Sequence, residues 1–248
     1  MHSEAPTAAV LIIGNEILSG RTPDSNLNAI ALKLAEIGVR LLEARVVPDI
    51  EHEIVEAVNT LRAKYTYVLT TGGIGPTHDD ITADAMGAAF GLPVTLHPEG
   101  KARLVAYYPP EKLNDSRLRM ARTPEGAVLI DNPVSVAPGF RVENVYVLAG
   151  VPHIMRSMLD NVVAELKHGP DIHTISVSGH VAESTVGDEL AEIAKRYPDL
   201  DIGSYPWLRN DRYGTALVTR GIDQAAVKQA SDEIFALVKK HGGNPQVE

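Results

Sequence analysis

The sequence predicts an α/β fold: a mainly parallel sheet with helices on both faces, followed by a small α+β domain. Three observations carry that expectation. Short apolar runs alternate with segments of helical spacing from residue 10 to about residue 90, and strands alternating with helices of this length form βαβ units. The first run, Val10-Leu11-Ile12-Ile13, is continuously apolar, as in a strand covered on both faces. A break at His168-Gly169-Pro170 separates this pattern from one of different order.

The elements follow in turn. The first strand ends at Gly14, and Leu27, Ile30, Ala31, Leu34 and Ile37 then recur at helical spacing until Gly38. Arg40 to Val47 reads as a second strand, and Ile54, Val55, Val58 and Leu61 mark a second helix. Tyr65 to Thr71 is the third strand, followed by a helix from Ile81 to Phe90. Residues 97–126 are irregular, with short helices expected at 99–107 and 114–121. Ala127 to Ile130 and Val142 to Leu148 read as strands, with turns at Asn132-Pro133 and Pro138-Gly139. Pro152 suits the first turn of a helix running to about Leu166.

Beyond the break, His173 to Ser178 reads as a strand, and Val186, Leu190, Ile193, Ala194 and Tyr197 share one helical face. Leu200 to Ser204 and Thr215 to Thr219 are two further strands, and Val227, Ala230, Ile234 and Leu237 mark a last helix. That β-α-β-β-α order suits a small antiparallel α+β sandwich of ferredoxin-like type. Two domains are therefore expected, 8–168 and 171–240, with Gly242 to Glu248 as a mobile tail.

Composition narrows the function. A hydrophobic content of 44% and a charged content of 22% are those of a soluble globular chain. The absence of cysteine excludes disulfides, Cys-ligated zinc, iron–sulfur clusters and thiol catalysis. The start, Met1-His2-Ser3-Glu4-Ala5-Pro6, lacks the basic and apolar regions of a signal peptide, and no apolar run approaches the ~20 residues of a membrane span. A cytoplasmic protein without membrane contact is expected. The net charge of −9, without a long basic block, argues against nucleic acid as a partner.

The most informative stretch is Thr70-Thr71-Gly72-Gly73-Ile74-Gly75-Pro76-Thr77-His78-Asp79-Asp80, set between a strand and a helix. Three glycines within four residues let backbone N–H groups approach a ligand, and the following helix start favours phosphate. Asp79 and Asp80 at that start would repel phosphate unless a divalent cation lies between them. The competing explanation is a capped turn, since Thr77 and Asp80 fit the S/T-x-x-D pattern. Neither the G-x-G-x-x-G spacing nor a following G-K-[ST] is present.

Five motifs in order resemble the CinA-type molybdopterin-binding domain. They are Gly14-Asn15-Glu16-Ile17-Leu18-Ser19-Gly20 with Asp24 and Asn26; Thr71 to Asp80; Asn132 to Phe140; Ala149-Gly150-Val151-Pro152; and Ile202 to Pro206 preceded by Glu183 to Leu190. The resemblance covers about residues 8 to 240. It implies a three-layer α/β/α domain shared with the MogA and MoaB molybdenum-cofactor proteins, and a homo-oligomer. It also implies metal-dependent hydrolysis of ADP-ribose at its pyrophosphate, FAD being the substrate of related domains. The loop departs from the pattern of the dedicated molybdopterin adenylyltransferases. The nicotinamide mononucleotide deamidase domain of full-length CinA proteins is not expected within this chain.

On this basis Asp79 and Asp80 are the expected metal ligands, for Mg²⁺, Mn²⁺ or Co²⁺, with Glu16 and Asp24 as further ligands or a general base. Asp24 or Ser25 could equally cap the helix that follows. Gly72, Gly73, Gly75, Pro76 and Thr77 form the expected phosphate cradle, with Gly14, Asn15, Asn26, Ser135 and Gly150 along the crevice. Arg21, Arg117, Arg119 and Arg122 could offset phosphate charge. His78 lies inside the motif, and Tyr107 and Tyr108 could stack on a ring or simply pack. Two functions compete: a pyrophosphatase acting on ADP-ribose or a related dinucleotide, and a module that binds molybdopterin or a related pterin phosphate without hydrolysis.

Overall fold

The computed structural model describes residues 5–209 and 211–247. The leader reading rests partly on residues 1–4, which lie outside the described residues, as does Glu248. The chain divides into two compact units, Met1–Gly169 and Pro170–Glu248.

The first unit is built on a six-stranded sheet. Its strands are β1 (Thr7–Ile13), β2 (Arg40–Val47), β3 (Tyr67–Thr71), β6 (Val128–Ile130), β7 (Gly139–Val142) and β8 (Val145–Leu148), in spatial order β2-β1-β3-β8-β7-β6. The first four in that order are parallel, and β7 runs antiparallel to both its neighbours. Helices α3 (Glu51–Lys64) and α4 (Thr82–Phe90) bury Ile54, Leu61 and Met86 against one face, where Leu11, Ile13 and Val68 point. Helices α2 (Asn26–Glu36) and α7 (Pro152–Glu165) bury Ile30, Leu34, Met158 and Leu159 against Val10, Ile12 and Leu69 on the other. Burial on both faces explains why β1 carries no alternation of polar residues.

This topology places the site. From β1 the chain moves outward to β2 on one side and then to β3 on the other. The order reverses between β1 and β3, and open α/β sheets form a ligand crevice beyond the carboxyl ends of strands at such a point. The loops after β1 and β3 both open there.

Four features depart from the sequence expectations. The loop after β1 contains a four-residue helix, α1 (Asn15–Leu18). The stretch Val142 to Leu148 is not one strand: the chain reverses at Glu143, whose φ is 50°, and Asn144, whose side chain donates to the Arg62 and Tyr65 carbonyls. Residues 94–124 contain a short antiparallel pair, β4 (Val94–Leu96) with β5 (Arg122–Pro124), around α5 (Pro98–Tyr107), a 3₁₀ turn (Pro110–Lys112) and α6 (Asp115–Arg119). The tail expected to be mobile instead forms a strand.

That strand belongs to the second unit, whose elements are β9 (His173–Gly179), α8 (Glu183–Arg196), β10 (Asp201–Arg209), β11 (Arg212–Gly221), α9 (Gln224–Lys240) and β12 (Gln246–Val247). The antiparallel sheet runs β10-β11-β9-β12, the ferredoxin-like arrangement. Gln246 and Val247 pair with Ser178 and Val177, and the Gly243 carbonyl accepts from His180 N at 2.6 Å. Val177, Leu217, Val186, Leu190, Ile234 and Val238 form its core.

Candidate functional site

The glycine loop leaves β3 through a backbone that only glycine can follow. Gly72 has φ 103°, and a Cβ there would lie 2.1 Å from the Ile13 carbonyl oxygen. Gly73 has φ 67°, and its Cβ would lie 2.1 Å from Thr82 Oγ1. Both positions therefore hold the loop against its neighbours more closely than any side chain permits. Thr82 fastens the other end: its N–H donates to the Gly73 carbonyl and its hydroxyl to the Gly72 carbonyl, each at 3.0 Å.

Asp80 folds back under the loop. Its carboxylate accepts from Gly75 N at 2.6 Å, from Thr77 N at 2.7 Å and from the Thr77 hydroxyl at 2.5 Å. Both oxygens of Asp80, one of the two expected metal ligands, thus hold the turn's own donors and brace it. The capping alternative is near the mark but shifted, since α4 starts only at Thr82. Asp79 differs: it is exposed, and the Thr77 hydroxyl, its own backbone N–H and His78 hold its carboxyl below the ordinary range. Pro76 and His78 are exposed on the same turn, with His78 Nδ1 4.0 Å from Asp79.

The first loop faces this one. Gly14 N donates to the Val47 carbonyl, and Asn15 N donates to Asp49 Oδ2 at 2.8 Å. The Glu16 carboxylate folds over Gly14, where a Cβ would meet it at 2.6 Å. Asp24 accepts from Leu27 N at 2.9 Å and so caps α2, and Ser25 makes no side-chain cap. Asn26 is 95% buried and donates to the Gly150 carbonyl at 2.8 Å. Gly150 in turn abuts Gly72, with 3.2 Å from its Cβ position to the Gly72 Cα.

Sequence reasoning missed Asp49, which lies just beyond β2. Its carboxyl is raised, first by burial and further by the charges of Glu16, Asp79 and Asp80, while the Asn15 N–H acts in the opposite direction. Glu16, Asp49, Asp79 and Asp80 therefore share one electrostatic neighbourhood. They do not converge as a cage: among the described residues no group of three or more His, Asp or Glu side chains is arranged to hold a metal ion. The oxygen-only donor set suits Mg²⁺ or Mn²⁺, which are held by one or two carboxylates together with water and phosphate oxygens.

Three buried polar atoms at this end of the sheet have no hydrogen-bond partner among the described residues: Asn26 Oδ1, Thr70 Oγ1 and Thr71 Oγ1. Strand alternation puts Thr71 on the face of Leu69, the side from which α2 and Asn26 approach.

The remaining expected residues shape the surroundings. Arg119 donates to the Thr77 carbonyl at 3.2 Å, so it tethers the loop rather than presenting a free charge. Arg122 forms a two-pronged pair with Asp84, and Arg117 stacks over Tyr108. The Ser135 hydroxyl accepts from Asn132, a buried amide that also binds the Ala137 carbonyl and the Val134 and Ser135 N–H groups. The crevice lined by Gly73, Gly75, Asp80, Arg119 and Phe140 encloses only about 10 Å³, enough for one water. A ligand would therefore lie across the strand ends rather than in a deep pocket.

Comparison with known proteins gives this geometry a family. Residues 9–168 match the model described as "Probable molybdopterin binding domain". The chain belongs to that family. Residues 171–246 match a second model, "FAD synthase, middle domain". A protein of Archaeoglobus fulgidus is 32% identical over 92% of this chain and 96% of its own length. A CinA-like protein of Desulfosudis oleivorans is 32% identical over 95% of this chain, which spans 60% of that protein. The crystal structure of CinA from Thermoplasma acidophilum, described as of unknown function, is 33% identical with a TM-score of 0.62, covering 66% of this chain and 99% of its own. These relatives bear out the CinA-type resemblance. They do not extend to ADP-ribose hydrolysis. Among the described residues no helix is long and apolar enough to cross a membrane.

Proposed function

We propose that the first unit binds molybdopterin or a related pterin phosphate across the carboxyl ends of β1, β3 and β8. One observation carries this reading: the Gly72-Gly73 backbone packs closely against Ile13 and Thr82 and the turn beyond is braced by Asp80, which leaves a fixed stretch of backbone without side chains at Gly72 and Gly73, at the sheet's switch point. The Gly72 N–H is held by the Leu148 carbonyl and those of Gly75 and Thr77 by Asp80, so the backbone donors left to receive a phosphate are those of Gly73 and Ile74, and the family's own description names molybdopterin as the ligand. The unpartnered Asn26 Oδ1 and Thr71 Oγ1 supply an acceptor and a hydroxyl beside it for a ligand's polar edge or a bridging water.

A second reading is favoured by Asp49. The repulsion it shares with Glu16, Asp79 and Asp80 is the environment in which a divalent cation would be held, by Glu16, Asp49 or Asp79. A cation there would neutralise phosphate charge and supply Lewis-acid assistance to hydrolysis of a pyrophosphate such as that of ADP-ribose. Calorimetric titration with molybdopterin and with ADP-ribose, each with and without Mg²⁺, Mn²⁺ or Co²⁺, tests both readings when AMP release is followed in parallel. Molybdopterin binding without AMP release supports the binding module. Metal-dependent AMP release supports the hydrolase. Folded protein that binds neither ligand removes both.

A further inference from the structure

The sheet of the second unit has a face that neither of its helices covers. Helices α8 and α9 pack Val186, Leu190, Ile234 and Val238 against Val177 and Leu217, with Ile202 beside them. Alternation along β10 and β11 turns Tyr205, Trp207 and Arg209, with their cross-strand neighbours Ala216, Gly214 and Arg212, to the opposite side.

Two rings lie flat on that side. Trp207 pairs with Gly214 on β11, yet its indole N–H donates at 3.2 Å to Ser178 Oγ on β9, one strand further across. The indole therefore spans β11. It can lie there because position 214 has no side chain: a Cβ would come within 2.3 Å of the ring. Tyr205 repeats the device over Gly203, where a Cβ would lie 3.1 Å from the phenol. The His180 ring meets the indole edge-on at 5.1 Å. Tyr205 is 59% exposed all the same. A ring laid flat on a sheet turns its outer π-face to solvent, where a planar partner can stack on it.

The charge on this face is opposite to that of the chain. Arg209, Arg212 and Arg220 stand on it with one carboxylate, Asp201, which pairs in register with Arg220; the whole chain is at −9. The Arg209 guanidinium lies 5.0 Å over the Trp207 ring, and Arg212 stands directly across from Arg209. Among the described residues Arg212 and Arg220 form no ion pair. Asp211 adds one acid between Arg209 and Arg212, so two guanidiniums outweigh one carboxylate at that end. Two residues of strand separate Arg209 from Trp207, about 7 Å at the rise of a β-strand. An acidic group carried by a ring stacked on this surface is therefore within reach of the guanidiniums.

We propose that this face binds a nucleoside phosphate: the base stacks on Tyr205 and Trp207, and Arg212 with Arg209 receives the phosphate. The planar guanidinium fork matches phosphate oxygens, and every base has a π-face that stacks on an aromatic side chain. A single nucleotide carries few charges, so the overall acidity that turns away a polyanion opposes it far less. The site belongs to the second unit and owes nothing to the glycine loop.

Trp207 is the chain's single tryptophan, so its emission reports on this face and not on the glycine loop. The full chain is titrated at low salt with AMP, adenosine, inorganic phosphate and an octauridylate. Saturable quenching by AMP is expected, with adenosine and inorganic phosphate each at least about tenfold weaker. Arg212→Gln should bring AMP down to the level of adenosine, and Tyr205→Ser should weaken AMP and adenosine alike. Unchanged thermal melting shows that both variants fold. No saturable quenching at millimolar AMP would overturn the proposal, as would adenosine binding as tightly as AMP. Octauridylate binding more tightly than AMP would also overturn it, since the face would then serve single-stranded nucleic acid.

Discussion

Asp49 lies in the loop after β2 and Asp80 in the loop after β3, on either side of β1, and the protein uses them in opposite ways. Asp80 receives three donors from its own turn, one on Oδ1 and two on Oδ2. Asp49 receives one backbone N–H and faces three other carboxylates that push its carboxyl upward. The glycine loop is thus braced from within, whereas the Asp49 carboxyl is held above its ordinary range, first by burial and then by the charges of Glu16, Asp79 and Asp80.

The largest expected effect breaks the braced side. Gly72→Ala forces a Cβ to within 2.1 Å of the Ile13 carbonyl at φ 103°. Unfolding in urea should show a loss of at least about 3 kcal/mol, or no folded protein at all. A change below about 1 kcal/mol would mean that the loop relaxes and is not held as described.

Asp80→Ala comes next. It strips the Gly75 and Thr77 donors of their acceptor, and a loss of about 1–3 kcal/mol is expected. Hydrogen exchange at the Gly75 and Thr77 amides should quicken, and Asp80→Asn should restore part of the protection. If the alanine variant melts like the parent, Asp80 is not the brace and its role as a ligand returns.

Asp49→Asn acts in the other direction. Because burial and like charge raise the Asp49 carboxyl, the folded chain holds more protons than the unfolded chain between about pH 3.9 and the raised native value. Stability therefore falls as pH rises through that window, and the deficit persists at neutral pH. Removing the charge should stabilise by about 0.5 kcal/mol at pH 7, once solvent screening is allowed for. The thermal gain from Mg²⁺ or Mn²⁺ should shrink in the same variant. A variant less stable than the parent at neutral pH would show that the Asn15 N–H outweighs the repulsion.

The smallest effect lies away from both loops. Glu43 on β2 accepts from Tyr65, Lys64 and Arg45, and these hold its carboxyl down at about 2. The stabilisation it supplies is complete above the ordinary carboxylate value and is lost as pH falls through about 2. Glu43→Gln should therefore differ from the parent most at neutral pH, and the difference should close on acidification.

The same contrast explains how much the sequence reveals. The strand Arg40–Val47 and the glycine loop are legible because each depends on local chemistry: period and flanking residues in one, backbone conformations open only to glycine in the other. The hairpin within residues 139–148 is not, because its reversal rests on a non-glycine residue at φ 50° and on Asn144 reaching two carbonyls far away in sequence. β12 escapes because two residues paired with β9 have no period to read. Asp49 escapes for a deeper reason. Nothing beside it in sequence marks it, and its significance arises only when three loops bring their carboxylates together. Asp80 was half-legible: the S/T-x-x-D spacing announced a hydrogen bond to Thr77, but not that Gly75 would share it.

The central claim is that the braced backbone of Gly72 to Thr77 is where a phosphorylated ligand binds. Backbone amide NMR of the isotopically labelled chain during titration with molybdopterin tests it directly. The account predicts saturable shifts concentrated at Gly73 and Ile74, with smaller ones at Gly75, Thr77, Asn15 and Asn26. Saturable shifts elsewhere that leave those amides unmoved would contradict it.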